Sequence, residues 1–264
     1  MWSKCPAGKL EKEENVVTAF NLKIIASVCM LFDHTGAVFT ASTPLFFRWI
    51  GRIAFPVYAY MIAQGCKHTN NINKYLLRLG IFALISEMPF DVAFMHYYMM
   101  DGTLNLGINF LRNTNVFYTL FLGVACVSVY EKLKVKKRIE NENRGPKSFL
   151  SFFAALPLLL TASMLDTDYG AFGVALIFVL YLAKPEDKVR RTVVLTAGVI
   201  YLYGLNLFTS YSYFNLMCLL FAFIAVILTF LYNGKQGPKA RWAFYAFYPA
   251  HISALVIIWY LFTG

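Results

Sequence analysis

Eight ionisable side chains interrupt long apolar stretches of this chain: Lys23, Asp33, His34, Arg48, Arg52, Glu87, Asp91 and His251. Within hydrocarbon such a group costs several kcal/mol unless it meets a partner or a polar cavity, so each marks a candidate functional position. They group in the first three apolar stretches and the last, whereas those between residues 148 and 232 carry almost none. The chemistry they suit begins with proton transfer: the His34 imidazole can take a proton from an amine or hydroxyl near neutral pH. A fixed arginine in a dry site can stabilise the oxyanion of a tetrahedral intermediate. Asp33 suits an ion pair with Arg48 or Arg52 that would hold the surroundings of the neighbouring histidine. The same groups would also serve as the proton relay or ion site of a small-molecule transporter, and residue types alone leave both readings open.

Plainer roles compete for several of these residues. Lys23 could be a snorkelling anchor at a helix start, Glu87 a structural counterion to an arginine, and His251 a hydrogen-bonding group beside the Pro249 kink. His68 and His96 fall in polar loops. No metal is expected, because the four histidines are far apart and no H-x-x-x-H or H-E-x-x-H spacing occurs. G-x-S-x-G, Walker A and G-x-G-x-x-G patterns are also absent, which removes the common hydrolase, ATPase and dinucleotide readings. Cys5, Cys29, Cys66, Cys126 and Cys218 show no C-x-x-C spacing and suggest neither a disulfide framework nor a zinc site.

Elements long enough to carry these residues follow from composition. Of the 264 residues 59% are hydrophobic and only 14% charged, against about 25% charged in soluble domains, and mean hydropathy is +0.56. The aromatic content of 17% excludes a disordered or collagenous chain. An all-α integral membrane protein remains. A ruler of about 20 apolar residues per span gives a polytopic bundle of about nine transmembrane helices, with eight to ten allowed. They run near 22–40, 44–65, 73–95, 115–133, 148–165, 169–184, 191–209, 212–232 and 241–262. The chain reads as a single domain over 1–264, with a polar N-terminal segment 1–21 that lacks the apolar core of a signal peptide. No internal repeat is visible.

The net charge of +10 raises the question of nucleic acid, and the positions of the charges answer it. Lysine and arginine collect in alternate loops, most densely over 132–147, which is the positive-inside pattern of a multi-pass protein rather than a phosphate-reading surface. The N-terminus and the 132–147 loop are therefore expected in the cytoplasm, and residues 96–114 and the C-terminus outside. Helical spacing sharpens the site. Arg48 and Arg52, four apart, share a face, as do Lys23 and His34, eleven residues or about three turns apart. Lys23 would line the cytoplasmic mouth of a groove whose deeper end holds His34, with Glu87 and His251 at a similar mid-membrane depth.

Several longer stretches resemble a known family. They are Leu22–Lys23, Asp33–His34, IGRIAFP at 50–56, KYLLRL at 74–79, ISEMPFD at 85–91, NVFYTL at 115–120 and FYPAH at 247–251. In this order they resemble the TraX family, named after the protein that acetylates the N-terminus of conjugative F-pilin. That family is similar to the acyltransferase-3 type membrane acyltransferases, in which a basic residue, ten intervening positions and a histidine mark the active-site helix, as Lys23 and His34 do here. The resemblance implies transfer of an acetyl group from acetyl-CoA to an amine or hydroxyl of a peptide or pilin N-terminus, a sugar or a small amine, in the cell's inner (plasma) membrane. For that chemistry the residues themselves suit His34 as general base with Asp33, Arg52 and Glu87 beside it, and Lys23, Arg48, Lys74, Arg78 and His251 on the acyl-CoA. Membership does not transfer the pilin substrate.

Overall fold

Thr18 opens the first helix and shows how the two ends of the chain are joined. The structure is a computed structural model describing residues 17–94, 113–139, 153, 155–183, 187–210 and 212–263. In α1 (Ala19–Val38) the Thr18 hydroxyl accepts from the Asn21 N–H at 3.3 Å. The Ala19 and Phe20 N–H groups donate to the carbonyls of Lys235 and Gln236 at 3.0 and 3.1 Å. Three first-turn donors are thereby satisfied, two of them by the loop that precedes the last helix. Gly237, at φ +71°, turns that loop; a Cβ there would lie 2.9 Å from both Thr18 Oγ1 and Phe20 Cβ. The last helix, Arg241–Thr263, consequently starts beside α1 and runs parallel to it, so Lys23 stands over Phe244 at 5.7 Å while His34 meets His251 further along.

The expected second span is not one helix. It divides into α2 (Phe46–Gly51) and α3 (Ala54–His68), and the cause is Pro56, which has no N–H for the Arg52 carbonyl and whose ring would crowd it. The chain bridges the break with short i→i−3 bonds, Arg52 N–H to Trp49 O and Ile53 N–H to Ile50 O, both 3.1 Å. Gly51 lets this break lie against α1: a Cβ on it would sit 2.2 Å from Asp33 Cβ.

Helix α4 (Ile72–Phe94) is capped by the Asn71 side chain, which accepts from Lys74 N–H at 2.9 Å. Helix α5 (Val116–Ile139) is capped by Asn115, whose Oδ1 accepts from Phe117 N–H at 2.9 Å while its Nδ2 donates to Ala83 O of α4 at 2.8 Å. There follow α6 (Leu156–Met164), α7 (Gly170–Leu182), α8 (Lys188–Val199), a π-helical turn (Ile200–Gly204) that passes into α9 (Leu205–Thr209), α10 (Tyr213–Phe230) and α11 (Arg241–Thr263). Among the described residues there is no strand, only an isolated bridge between Val17 and Tyr232 beside the tied loop.

The described residues are therefore all-helical in their regular structure, and their helices fall on the expected apolar stretches apart from the break at Arg52. Among the described residues three helical stretches are long and apolar enough to cross a membrane: Val116–Leu133, Tyr213–Phe230 and Arg241–Phe262. Helices α1 and α4 have the length, 20 and 23 residues, but interrupt their apolar faces with Lys23, Asp33 and His34, and with Lys74, Arg78, Glu87 and Asp91. Many large apolar side chains stay exposed, Leu77, Leu84, Ile85 and Met88 on one face of α4 among them. The segment 1–16, most of the 96–114 stretch, much of the basic 132–147 loop and the start of the fifth span lie outside the described residues.

Candidate active site

A cavity of about 650 Å³ is enclosed mainly by α1, α2, α3, α4 and α11. Its wall at one end carries Lys23, Tyr75, Arg241 and Phe244, in its middle Asp33, His34, Arg52 and Tyr248, and at the other end Thr40, Leu45 and Asp168. The sequential positions along α1, from Lys23 through His34 to Thr40, order these along the cavity, and a rise of about 1.5 Å per residue separates Lys23 from His34 by roughly 16 Å. Lys23, Arg241 and Phe244 also border a second cavity of about 650 Å³, lined by Asn70, Gln236 and Lys239. The two are neighbours across that shared wall, a cationic vestibule beside the chamber. Among the described residues Lys23, Lys239 and Arg241 pair with no carboxylate, so the vestibule is a concentration of uncompensated positive charge.

In the chamber, α1 and the broken helix clamp each other. Asp33 Oδ1 lies 2.7 Å from Arg48 Nη1 and 2.8 Å from Arg52 Nη2. Arg48 Nη1 also donates to the Asp33 carbonyl at 2.9 Å, and Arg52 Nε donates to the Arg48 carbonyl at 3.0 Å. The Pro56 break makes this possible, since it turns both arginines onto α1 at the level of Asp33. With side-chain exposures of 14%, 32% and 18% for Asp33, Arg48 and Arg52, the cluster is mostly withdrawn from solvent and its charges are paired, as burial requires.

His34 follows directly on this clamp and is almost fully buried. Its Nδ1 lies 2.7 Å from Nε2 of His251, and His251 Nδ1 lies 2.7 Å from the carbonyl of Phe247 one turn earlier in α11. Phe94 and Tyr248 pack edge-on against the His34 ring, with centroids 5.2 and 5.7 Å away. The parallel register of α1 and α11, fixed by the loop at 235–237, brings residues 217 positions apart in the chain into this contact.

Other expected members are elsewhere. Glu87 is buried but is not an arginine's counterion: its Oε2 accepts from the backbone N–H of Asn115 at 3.2 Å and from the Asn115 side chain. Both arginines are already committed to Asp33, and Glu87 meets the positive N-terminal end of α5 instead. It does not line the cavity. Lys74 is exposed and lines neither cavity, and Arg78 lies over Tyr75 at 5.5 Å, behind the cavity wall. His251 touches His34 rather than the open space. Arg48 does line the chamber, and among the described residues only its Nη1 is engaged. No group of three His, Cys, Asp or Glu side chains among the described residues converges as a metal site would.

Asp168, Lys239 and Arg241 are the additions. Asp168 lies in the turn between α6 and α7; its N–H donates to Thr114 O at 3.0 Å, and the next ring, Tyr169, stacks on Phe55 at 3.5 Å. Those contacts set its carboxyl at the cavity wall, where it keeps open surface toward the cavity although protein surrounds it. That surrounding protein pushes its pKa up to about 6, reinforced by Asp33 and opposed by Arg52 and Arg48. Nothing in the residue spacing signals Asp168. Arg241 was open to detection: it begins the last span at the same end as Lys23, and only the pairing of first and last helices was missing.

An all-helical protein with an internal chamber, a cationic vestibule and a buried histidine pair is thus the class that fold and site define. Residues 19–259 match the TraX protein family, and the chain belongs to that family. It is 30% identical over 250 residues to a probable fimbrial assembly protein FimC, serogroup H1, of Dichelobacter nodosus, an alignment covering 90% of this chain and 94% of that relative. No solved structure matches.

Proposed function

We propose that this protein is a membrane-embedded acyltransferase that moves an acetyl group from acetyl-CoA to an amine or hydroxyl acceptor. The observation that carries this reading is the wall shared by the vestibule of Lys23, Lys239 and Arg241 and the chamber that holds His34. The vestibule suits the phosphates of a nucleotide-bearing thioester, and the largely apolar chamber beside it suits its uncharged arm. In this reading Lys239 and Arg241 take the phosphate-attracting role expected of Lys74 and Arg78.

The chemistry uses groups already on the wall. The acceptor nitrogen or oxygen attacks the thioester carbonyl, and its proton passes to His34. The developing oxyanion is met by Arg48, whose unengaged N–H groups border the chamber. The C–S bond then breaks, and the proton held by His34 goes to the leaving thiolate, so the histidine ends as it began. Arg52, whose Nη2 is paired with Asp33 and whose Nε donates to the Arg48 carbonyl, serves to hold Asp33 and thereby α1.

The bundle is read as nine spans in the inner (plasma) membrane with the N-terminus in the cytoplasm. The parallel course of α1, α4 and α11 supports this, because it puts Lys23, Tyr75 and Arg241 at one end, where acyl-CoA is available. The chamber extends to Thr40, Leu45 and Asp168, which makes the opposite end the approach for the acceptor. The relative's name concerns fimbrial assembly, so a pilin-type polypeptide is the first acceptor to test. In the test, purified protein in detergent should bind acetyl-CoA stoichiometrically and release CoA when the acceptor is added; solute flux in proteoliposomes with the thioester intact would favour a transporter.

A further inference from the structure

We infer that His251 is a positioning residue that fixes the tautomer of His34, holding the proton on Nδ1 and leaving the Nε2 lone pair as the base. This rests on the acyltransferase reading for its use, but its geometry is independent of it. The Phe247 carbonyl can only accept a hydrogen bond. Its partner 2.7 Å away, His251 Nδ1, must therefore carry the proton. In a neutral imidazole the other nitrogen is then an acceptor, so His251 Nε2 accepts a hydrogen bond from its one partner among the described residues, His34 Nδ1 at 2.7 Å. His34 Nε2 is left unprotonated.

The ring geometry supports a strong bond rather than a chance approach. The two rings are inclined by only 7° with centroids 4.9 Å apart. Subtracting the two ring radii leaves about the observed N···N distance, so the rings meet edge to edge in one plane and the N–H points along the acceptor's lone pair. His251 is itself held by Phe247 twice, through the carbonyl and through a ring inclined by 17° at 4.6 Å. Among the described residues no other group hydrogen-bonds the imidazole of His34, and His34 borders the chamber. The backbone carbonyl plays toward His251 the part that a carboxylate plays in other histidine-based sites: it selects which nitrogen holds the proton.

Two measurements decide the matter separately. The first is the ¹⁵N spectrum of histidine-labelled full-length protein in detergent at neutral pH, with signals assigned through the His68→Gln, His96→Gln and His251→Gln variants. His34 should show a protonated Nδ1 and an unprotonated Nε2; the reverse pattern would overturn the inference whatever the protein's activity. The second is CoA release from acetyl-CoA. His251→Leu should redistribute the His34 proton and slow transfer by about 10²- to 10⁴-fold, the range over which a positioned base and its orienting partner act. His251→Gln, whose amide oxygen can accept from His34 Nδ1, should recover the wild-type His34 signals and bring transfer back to within about tenfold. Equal losses in both variants with unchanged His34 signals would reduce His251 to a packing residue and refute the proposal. A correct wild-type tautomer in a protein with no acetyl transfer would instead remove the acyltransferase reading and leave the histidine relay standing.

Discussion

Adding one methyl group at Gly51 should disable the site. A Cβ at this position would lie 2.2 Å from Asp33 Cβ, 2.3 Å from its Cγ and 2.6 Å from its Oδ1, where ordinary contact begins near 3.4 Å. In Gly51→Ala, α1 and the broken helix must therefore part by about 1.2 Å, the difference between 2.2 and 3.4 Å. Asp33 is the residue displaced, and its bonds of 2.7 and 2.8 Å to Arg48 and Arg52 stretch beyond hydrogen-bonding distance. Overpacking of this kind costs about 1–3 kcal/mol, and weakening a largely buried, doubly bonded carboxylate adds about another 1–2 kcal/mol. At about 2–4 °C per kcal/mol for a chain of this size, unfolding in detergent should come roughly 4–20 °C earlier, read by tryptophan fluorescence. Because His34 follows Asp33 directly, acetyl transfer by the protein that remains folded should fall about 100-fold, the usual consequence of an ångström-scale misplacement. Gly80→Ala is the control, since a Cβ there meets Phe121 at 3.4 Å, an ordinary contact, and should leave both readings unchanged. If Gly51→Ala melts and turns over like the wild type, the clamp between α1 and α2 does not position the base.

Arg52→Leu should lose about 2–3 kcal/mol of stability, below the full cost of orphaning a buried charge because Arg48 still pairs Asp33; a double-mutant cycle with Asp33→Asn should then show strong coupling between the two positions. Lys239→Ala combined with Arg241→Gln should raise the acetyl-CoA concentration needed for half-maximal rate by tenfold or more with little change in kcat, and should flatten its salt dependence. Asp168 has a carboxyl raised from its usual value to about 6, so the folded state binds more protons than the unfolded chain between pH about 4 and 6 and stability falls as pH rises through that window. Asp168→Asn should remove this slope, which pH-dependent melting curves would reveal; an unchanged slope would show that Asp168 is freely hydrated.

How much of this was legible in the sequence depends on the range of the contact. The helices were readable because apolar runs are local signals, and the Asp33 clamp was readable because buried arginines must find a carboxylate and only a few lie near. The break in the second span hung on one proline, Pro56, whose effect on a short apolar run is indistinguishable from a tolerated kink until the neighbouring helix is placed. Glu87 could not be assigned because its partner is an asparagine cap 28 residues away, a neutral group that charge reasoning does not seek. The pairing of His34 with His251 spans 217 residues and depends on a loop, 233–237, whose carbonyls replace the missing partners of the first turn of α1. No spacing rule within one helix reports such a contact. Lys239 and Arg241 were visible as loop cations, but their convergence on Lys23 follows only from the same tie.

The central claim is that His34 is the base of an acyl-CoA-dependent transfer, and the most direct measurement follows isotopically labelled acetyl from acetyl-CoA into a pilin-type polypeptide in membranes bearing either the wild type or His34→Ala. The account predicts label in the acceptor with the wild type, a loss of about two to four orders of magnitude with His34→Ala, and unaltered acetyl-CoA binding by that variant. Transfer at the wild-type rate by His34→Ala, or an absence of acetyl-CoA binding by the wild type, would contradict it.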